Sequence, residues 1–262
     1  MRKIGYAILV ISIIALIFLV SGAMLGGFSE LETLYHNGDY NINLPFYQTK
    51  NVVQEFRDVS NLEINCEIGT ANIKSYGGSS IKVEGRNVSR KIKIEKEHET
   101  LVIKDGSQFG RIFNYNDNDT GITIYVPNDY QFDQVNLEVD AGKMTIDQLN
   151  CQELEINVDL GDFYGNQIVA TQAKIEVDAG DITIDYLDSM NCDFNCDLGN
   201  ITATVAGSEA DYDYEVDSDL GDVTIGSYNS DSMEDKYTLQ RGANRRLKGS
   251  CDAGNIEIFM EV

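Results

Sequence analysis

The residues best placed to do chemistry form a repeated acidic column. Glu67, Asp140, Asp159, Asp178, Asp197, Asp219 and Asp252 each stand two positions before a glycine: Gly69, Gly142, Gly161, Gly180, Gly199, Gly221 and Gly254. The alternation around them points these side chains away from the apolar positions. Like charges stacked about 5 Å apart repel by roughly 1 kcal/mol per neighbour in water, so an offsetting partner is expected. Ca²⁺ is one candidate, because it is a hard cation that takes carboxylate and carbonyl oxygens. On that reading Asp140, Asp159, Asp178, Asp197 and Asp219 are the metal ligands, and Asp162, Asp181 and Asp222 are second ligands just past the corner. The competing reading is that each Asp accepts hydrogen bonds from the amides of its own turn. The lack of a GGxGxDxUx calcium repeat favours the second reading.

Other reactive side chains are sparse. Five cysteines in an exported chain suggest disulfides first. However, Cys66, Cys196 and Cys251 fall in the column that elsewhere holds Val139, Val158 and Val177, where a thiol acts as a small hydrophobe. Cys151 and Cys192 fall in connecting segments, and no disulfide is expected. His36 and His98 lie far from any nucleophile signature, so no hydrolytic triad and no catalytic residue is assigned. No phosphate-cradling loop or paired CxxC zinc spacing is present. Tyr115, Tyr125, Tyr164, Tyr186, Tyr212, Tyr214 and Tyr228 lie near strand edges, where packing alone favours tyrosine.

The elements that must position these residues are strands. The central glycines Gly142, Gly161, Gly180 and Gly199 recur every 19 residues, and the motif returns at Gly221 and Gly254. Within each unit the apolar period is 2, as in Leu137/Val139, Ile156/Val158 and Ile175/Val177. The residue just before the glycine (Ile68, Ala141, Leu160, Ala179, Leu198, Leu220 or Ala253) is expected to face inward. After the glycine the apolar parity shifts by one, to Met144, Phe163, Ile182 and Ile201, which predicts a corner with φ > 0 at the glycine. A weaker third apolar position follows at Leu149, Ile168 and Leu187. A coil that does not bury its own face is stabilised by stacking on its neighbours, so the fold class is all-β: a parallel β-helix or solenoid of about 19-residue coils. Residues 79–127 depart from the repeat, with longer strands around IKVEG, RKIKIEKE, TLVIKDG and GITIYVP and a loop at SQFGRIFNYNDND. Residues 227–248 form a second insertion.

Upstream, Arg2 and Lys3 precede an apolar run whose core, IGYAILVISIIALIFLVSGAML, is 22 residues long. As a helix it would span about 33 Å, which matches a hydrocarbon core. The run exceeds a signal-peptide h-region, which favours an uncleaved N-terminal transmembrane helix over a cleaved leader. The flanking positive charges keep Met1 cytoplasmic and export the rest. The expected organisation is an anchor over 1–28, a juxtamembrane linker over 29–51 and a β-solenoid repeat domain over 52–262, giving a single-pass cell-membrane protein with an extracellular C-terminal domain.

The chain of 262 residues carries Lys+Arg 20 against Asp+Glu 43, a formal charge of −23. Residues 133–235 hold 25 of the acids and only Lys143 and Lys174 as bases, so the rest of the chain is close to neutral. Such acidity excludes nucleic acid, whose binding needs clustered Lys and Arg. The hydrophobic share of 42% excludes a disordered acidic tail.

The succession VSNLEINCEIGTANIKSYGG, TLVIKDG and ITIYVPNDYQFDQVNLEVDAGKMTI, followed by D-[AL]-G-[DN] coils, resembles the bacterial DUF4097 family of β-strand-repeat proteins over roughly Val52–Val262. The resemblance implies a β-helix at the cell surface, a candidate adhesin, and supplies no catalytic residues. The function expected is a non-catalytic surface binding or scaffolding module. Its partners would be the membrane, through the N-terminal helix, and a cell-wall polymer or a second surface protein. A regulatory envelope protein signalling through membrane partners is one alternative. A polysaccharide lyase is another, with Lys143 or Lys174 as the base beside acidic residues.

Overall fold

The computed structural model describes residues 49–67, 69–104, 120–230 and 235–261. The expected anchor over 1–28 and the loop SQFGRIFNYNDND lie outside the described residues. Among the described residues, no helix is long and apolar enough to cross a membrane. The described residues all belong to one unit, Phe46–Val262.

The repeat dictates the centre of this unit. Strands β9 (Lys143–Val158), β10 (Asp162–Val177) and β11 (Asp181–Cys196) pair in parallel, Phe163 with Met144 and Ile182 with Phe163, so each rung is offset by the 19 residues of the sequence period. Each 16-residue strand bends twice. In β9, Met144 and Ile146 are buried, then Leu149 and Cys151, then Leu154, Ile156 and Val158, and the outward pairs Asp147-Gln148 and Gln152-Glu153 separate the groups. Asp159-Leu160 separates β9 from the next rung, so a coil has three inward faces, and the third apolar position of the sequence is one of them. The described residues are therefore all-β and β-solenoid-like. Fully burying one such side chain contributes about 1.5–3 kcal/mol. That gain exists only because a neighbouring rung covers it.

Two expectations about the corner are corrected. Leu160, Leu198 and Leu220 do not face inward: they are 70%, 69% and 71% exposed, and Ala141, Ala179 and Ala253 are exposed beside them. Ile68 lies outside the described residues. The phase slip falls one step earlier than the alternation suggested, at Asp-Leu or Asp-Ala, and the glycine itself takes the inward place. Nor do these glycines need a left-handed backbone, since among the seven only Gly69 has positive φ, at 132°. They need the missing side chain. A Cβ on Gly142 would stand 2.7 Å from the carbonyl oxygen of Gly69, and one on Gly221 would stand 2.6 Å from that of Gly254. At Gly161, Gly180, Gly199 and Gly254 the approach to the next glycine carbonyl is closer still. The amide past each glycine meets the same carbonyl, Lys143 N–H donating to Gly69 O at 2.7 Å and Asp162 N–H to Gly142 O at 3.0 Å.

Both ends of the stack depart from chain order. β2 (Asn61–Cys66) lies between β6 (Thr100–Lys104) and β8 (Gln131–Val139), and β3 (Thr70–Tyr76) lies between β7 (Gly121–Pro127) and β9. At the other end, β17 (Arg245–Cys251) inserts between β11 and β13 (Tyr212–Ser218), and β18 (Asn255–Glu261) inserts between β12 (Asn200–Ala206) and β14 (Asp222–Ile225). The two insertions seen in the sequence cap the ends with antiparallel strands rather than decorating a face. β4 (Ile81–Ser89) covers β7 and is itself covered by β1 (Thr49–Phe56), while β5 (Lys93–Glu97) covers β6. β16 (Asp235–Leu239) covers β13. Capping in this way uses up edges that would otherwise template aggregation. The first insertion carries a mixed-charge surface, with Lys82–Glu84 at 2.8 Å and Lys104–Glu63 at 2.7 Å.

All five cysteines are buried and none is in a disulfide. Cys66, Cys196 and Cys251 occupy the valine column, as the repeat alignment predicted, with Cys251 pairing in register with Cys196. Burial pushes the Cys151 and Cys192 thiols up to about 12. Thiol titration of unfolded, unreduced protein should find all five, whereas Cys151 and Cys192 in the folded protein should react only as it unfolds. A count below five would contradict this assignment. Replacing Gly180 by Ala should destabilise the fold by about 1–3 kcal/mol, an overpacking cost seen as a lowered melting temperature. Gly77→Ala, where an added Cβ meets nothing within 4 Å, should leave it nearly unchanged.

Candidate functional site

Because rungs stack in register, outward residues form columns, and two of these columns wall a groove. Gln134, Glu153, Gln172, Asn191 and Arg246 stand on one side, and Asn136, Glu155, Lys174, Asp193 and Lys248 on the other. The strand segments at Val135, Leu154, Ala173 and Cys192 form its floor, and the groove encloses about 630 Å³. Five rungs at about 4.8 Å give it a length of roughly 20 Å along the stack.

Its chemistry is that of hydrogen bonds and alternating charge. Gln134 Nε2 donates to Glu153 Oε2 at 2.8 Å, and Lys174 Nζ reaches Glu155 at 3.2 Å and Glu176 at 3.0 Å. Lys248 lies 3.7 Å from Asp193, and Arg246 pairs with Glu215. Asn136, Gln172 and Asn191 present carboxamides without a partner among the described residues. Among the described residues no aromatic side chain lines the groove, so sugar stacking has no platform among them. The hydrogen bond to Glu176 leads the causes that raise the Lys174 amine above its ordinary range, which holds it protonated. A protonated amine is in the wrong state for the proton-abstracting base that a lyase would require.

Sequence reasoning missed this face. The groove's cations are Lys174, Arg246 and Lys248, and the last two come from β17, some 55 residues further along the chain than the β11 residues they pair with. The only available signal was the outward position of each polar residue within its strand.

The acidic residues singled out from the sequence gather elsewhere. Asp140, Asp159, Asp178, Asp197, Asp252 and Asp219 stack in that order along the glycine corner, the last two exchanged relative to chain order. None of their carboxylates accepts a hydrogen bond or pairs with a cation among the described residues. The amides of the aspartate and of the residue after it go to the ladder, Asp159 N–H donating to Val139 O at 2.9 Å and Leu160 N–H to Asp140 O at 2.7 Å, and among the described residues none of these carboxylates accepts from the glycine amide two residues on. The local-turn reading therefore fails on geometry. The column does not form a cage either, since no group of three or more His, Cys, Asp or Glu comes together to hold a metal among the described residues. Beyond the corner, Asp181 accepts from Asn200 Nδ2 at 2.7 Å, and Asn200 in turn accepts from Asn255 Nδ2 at 3.1 Å. Tyrosine mostly packs, as expected. Tyr212 is fully buried with its hydroxyl donating to Ala206 O at 2.6 Å, and Tyr228 stacks on Tyr237 with centroids 4.3 Å apart.

The family profile described as Toastrack DUF4097 matches residues 59–197, more than half of the chain. The chain belongs to this family. A crystal structure of a candidate cell adhesion protein from Clostridium sporogenes aligns at TM-score 0.37 and 12% identity, covering 82% of this chain and 100% of that one. A candidate adhesin from Bacteroides fragilis aligns at TM-score 0.37 and 13% identity, covering 80% and 98%. A candidate lipid binding protein from Parabacteroides distasonis aligns at TM-score 0.30 and 15% identity, covering 82% and 97%. Likenesses at this level carry no argument about function, and no curated protein matches the chain.

The stacked carboxylates leave a titration signature. Desolvation, followed by the charges of Glu138, Asp159 and Glu67, raises the Asp140 carboxyl above its usual range. Asp197 is raised in the same way by desolvation, Asp178, Asp252 and Glu176. A raised carboxyl binds its proton more tightly in the folded than in the unfolded chain, so its contribution to stability falls as pH rises from about 4 through the folded pKa. Asp140→Asn should therefore raise the melting temperature at pH 7, and the gain should shrink toward pH 4. A gain that is constant with pH would contradict the account of a carboxyl raised by desolvation and by its like-charged neighbours.

Proposed function

We propose that this protein is a membrane-anchored, extracytoplasmic binding module without catalytic activity, in which a parallel β-helix presents a rung-repeated groove to an extended, hydrogen-bonding polymer. A cell-wall polymer is the ligand we favour, and a second surface protein is the other. The observation that carries this reading is the groove itself: unpartnered carboxamides and paired charges recur at one rung spacing along about 20 Å. A rigid ladder of weak sites gains affinity multivalently against a ligand with a matching repeat. The protonated state of Lys174 supports the non-catalytic reading. The apolar run near the N-terminus, flanked by Arg2 and Lys3, supports the anchor and export of the remainder.

Screening the full chain against purified cell-wall polymers tests the reading. Binding should be retained by wild type and weakened about tenfold or more by Gln172→Ala combined with Asn191→Ala, both on the groove wall and outside the core. Failure of every polymer to bind, or equal binding by the double variant, would count against it.

A further inference from the structure

A second surface lies at the glycine corner, away from the groove. The exposed residue before each corner glycine follows the stack in the order Ala141, Leu160, Ala179, Leu198, Ala253, Leu220, so leucine and alanine alternate strictly. That alternation is not present in chain order, where Leu198 is followed by Leu220. It arises because β17 and β18 insert between the two rungs, bringing Ala253 between these leucines. The leucines are about 70% exposed, and none is covered by another element among the described residues. With rungs about 4.8 Å apart they recur every ~10 Å, separated by notches over the alanines.

Charge flanks this ridge on both sides. On one side runs the Asp column with its uncompensated carboxylates. On the other, just past the glycine, stand Asp162, Asp181 and Asp222, with Lys143 the one cation among them. An apolar stripe between two acidic borders excludes two occupants. A second copy would bring Asp columns face to face, and an anionic lipid surface would be repelled while its acyl region met only three leucines. A protein segment with an apolar seam between basic flanks fits both features. Seven helical residues advance about 10.5 Å, close to the leucine spacing, so a helix with a heptad seam can set its apolar residues into the alanine notches.

We propose that the corner ridge of Leu160, Leu198 and Leu220 docks a basic amphipathic α-helix of a partner protein, its apolar seam on the leucines and its Lys or Arg side chains on the flanking aspartates. The surface is separate from the polymer groove, so the two readings stand or fall independently.

The test uses the full chain in nonionic detergent, with detergent-only blanks, and a synthetic three-heptad peptide with Leu at the seam and Lys on both flanks. Fluorescence anisotropy should show saturable binding that weakens steeply with salt. Leu160→Ser combined with Leu198→Ser and Leu220→Ser should weaken it at least tenfold while leaving the melting curve and polymer binding unchanged. Asp159→Asn with Asp178→Asn and Asp197→Asn should weaken it at low salt and flatten the salt dependence. A peptide with the same composition in scrambled order should bind at least tenfold more weakly. Equal binding of the scrambled peptide or of the leucine variant would overturn the proposal, because attraction would then be charge alone. Binding of a Glu-flanked peptide as tightly as the Lys-flanked one would also overturn it. So would leucine-dependent self-association by sedimentation, which would assign the ridge to a second copy, or leucine-dependent binding to phosphatidylglycerol vesicles, which would assign it to lipid.

Discussion

The structure depends on the contact of one corner glycine with the next. Each rung turns where a backbone carbonyl lies so close to the glycine above that no side chain fits between them. That approach keeps the interstrand ladder unbroken around the bend, from Asp159 N–H to Val139 O before the glycine to Asp162 N–H to Gly142 O after it. A buried backbone amide without a partner costs as much as a lost hydrogen bond, so a corner that broke the ladder would charge that cost at every rung. Glycine at this place removes the cost through absence of volume rather than through an unusual φ.

The same contact sets what the surface looks like. Since the glycine takes the inward place, the two residues before it are both turned outward, and an aspartate and a leucine or alanine recur at the rung spacing. The amides of each aspartate and of the residue after it are consumed by the ladder, and among the described residues the carboxylates remain uncompensated. Away from the corner, the same in-register stacking lines up Gln, Asn, Glu and Lys into the groove walls. Both surfaces are by-products of a lattice that keeps equivalent side chains one above another.

Much of this was legible in the sequence. The 19-residue spacing, the period of 2 and the in-register columns appear unchanged in β9, β10 and β11. The buried thiols at Cys66, Cys196 and Cys251 could be placed because they substitute for valine at aligned positions. The orientation of Leu160, Leu198 and Leu220 was not legible, because hydrophobicity argues for burial and only the close approach of successive glycines decides which residue takes the inward place. The groove was legible only in part: four of its rungs follow the 19-residue period, but the fifth, which supplies Arg246 and Lys248, comes from β17 some 55 residues further on.

The sequence alone determined the repeat, its period and the identity of each column, because those follow from local alternation that every coil must satisfy to be stacked. It also determined the acidic excess of residues 133–235. What compensates that excess was decided by tertiary structure. β17 returns from the far end of the chain and slides between two acidic rungs, where Arg245 meets Asp188 at 2.7 Å and Arg246 meets Glu215. A charge pattern along the chain is blind to such an insertion, because strand order in a stack is fixed by which edges remain unpaired rather than by which residues come next.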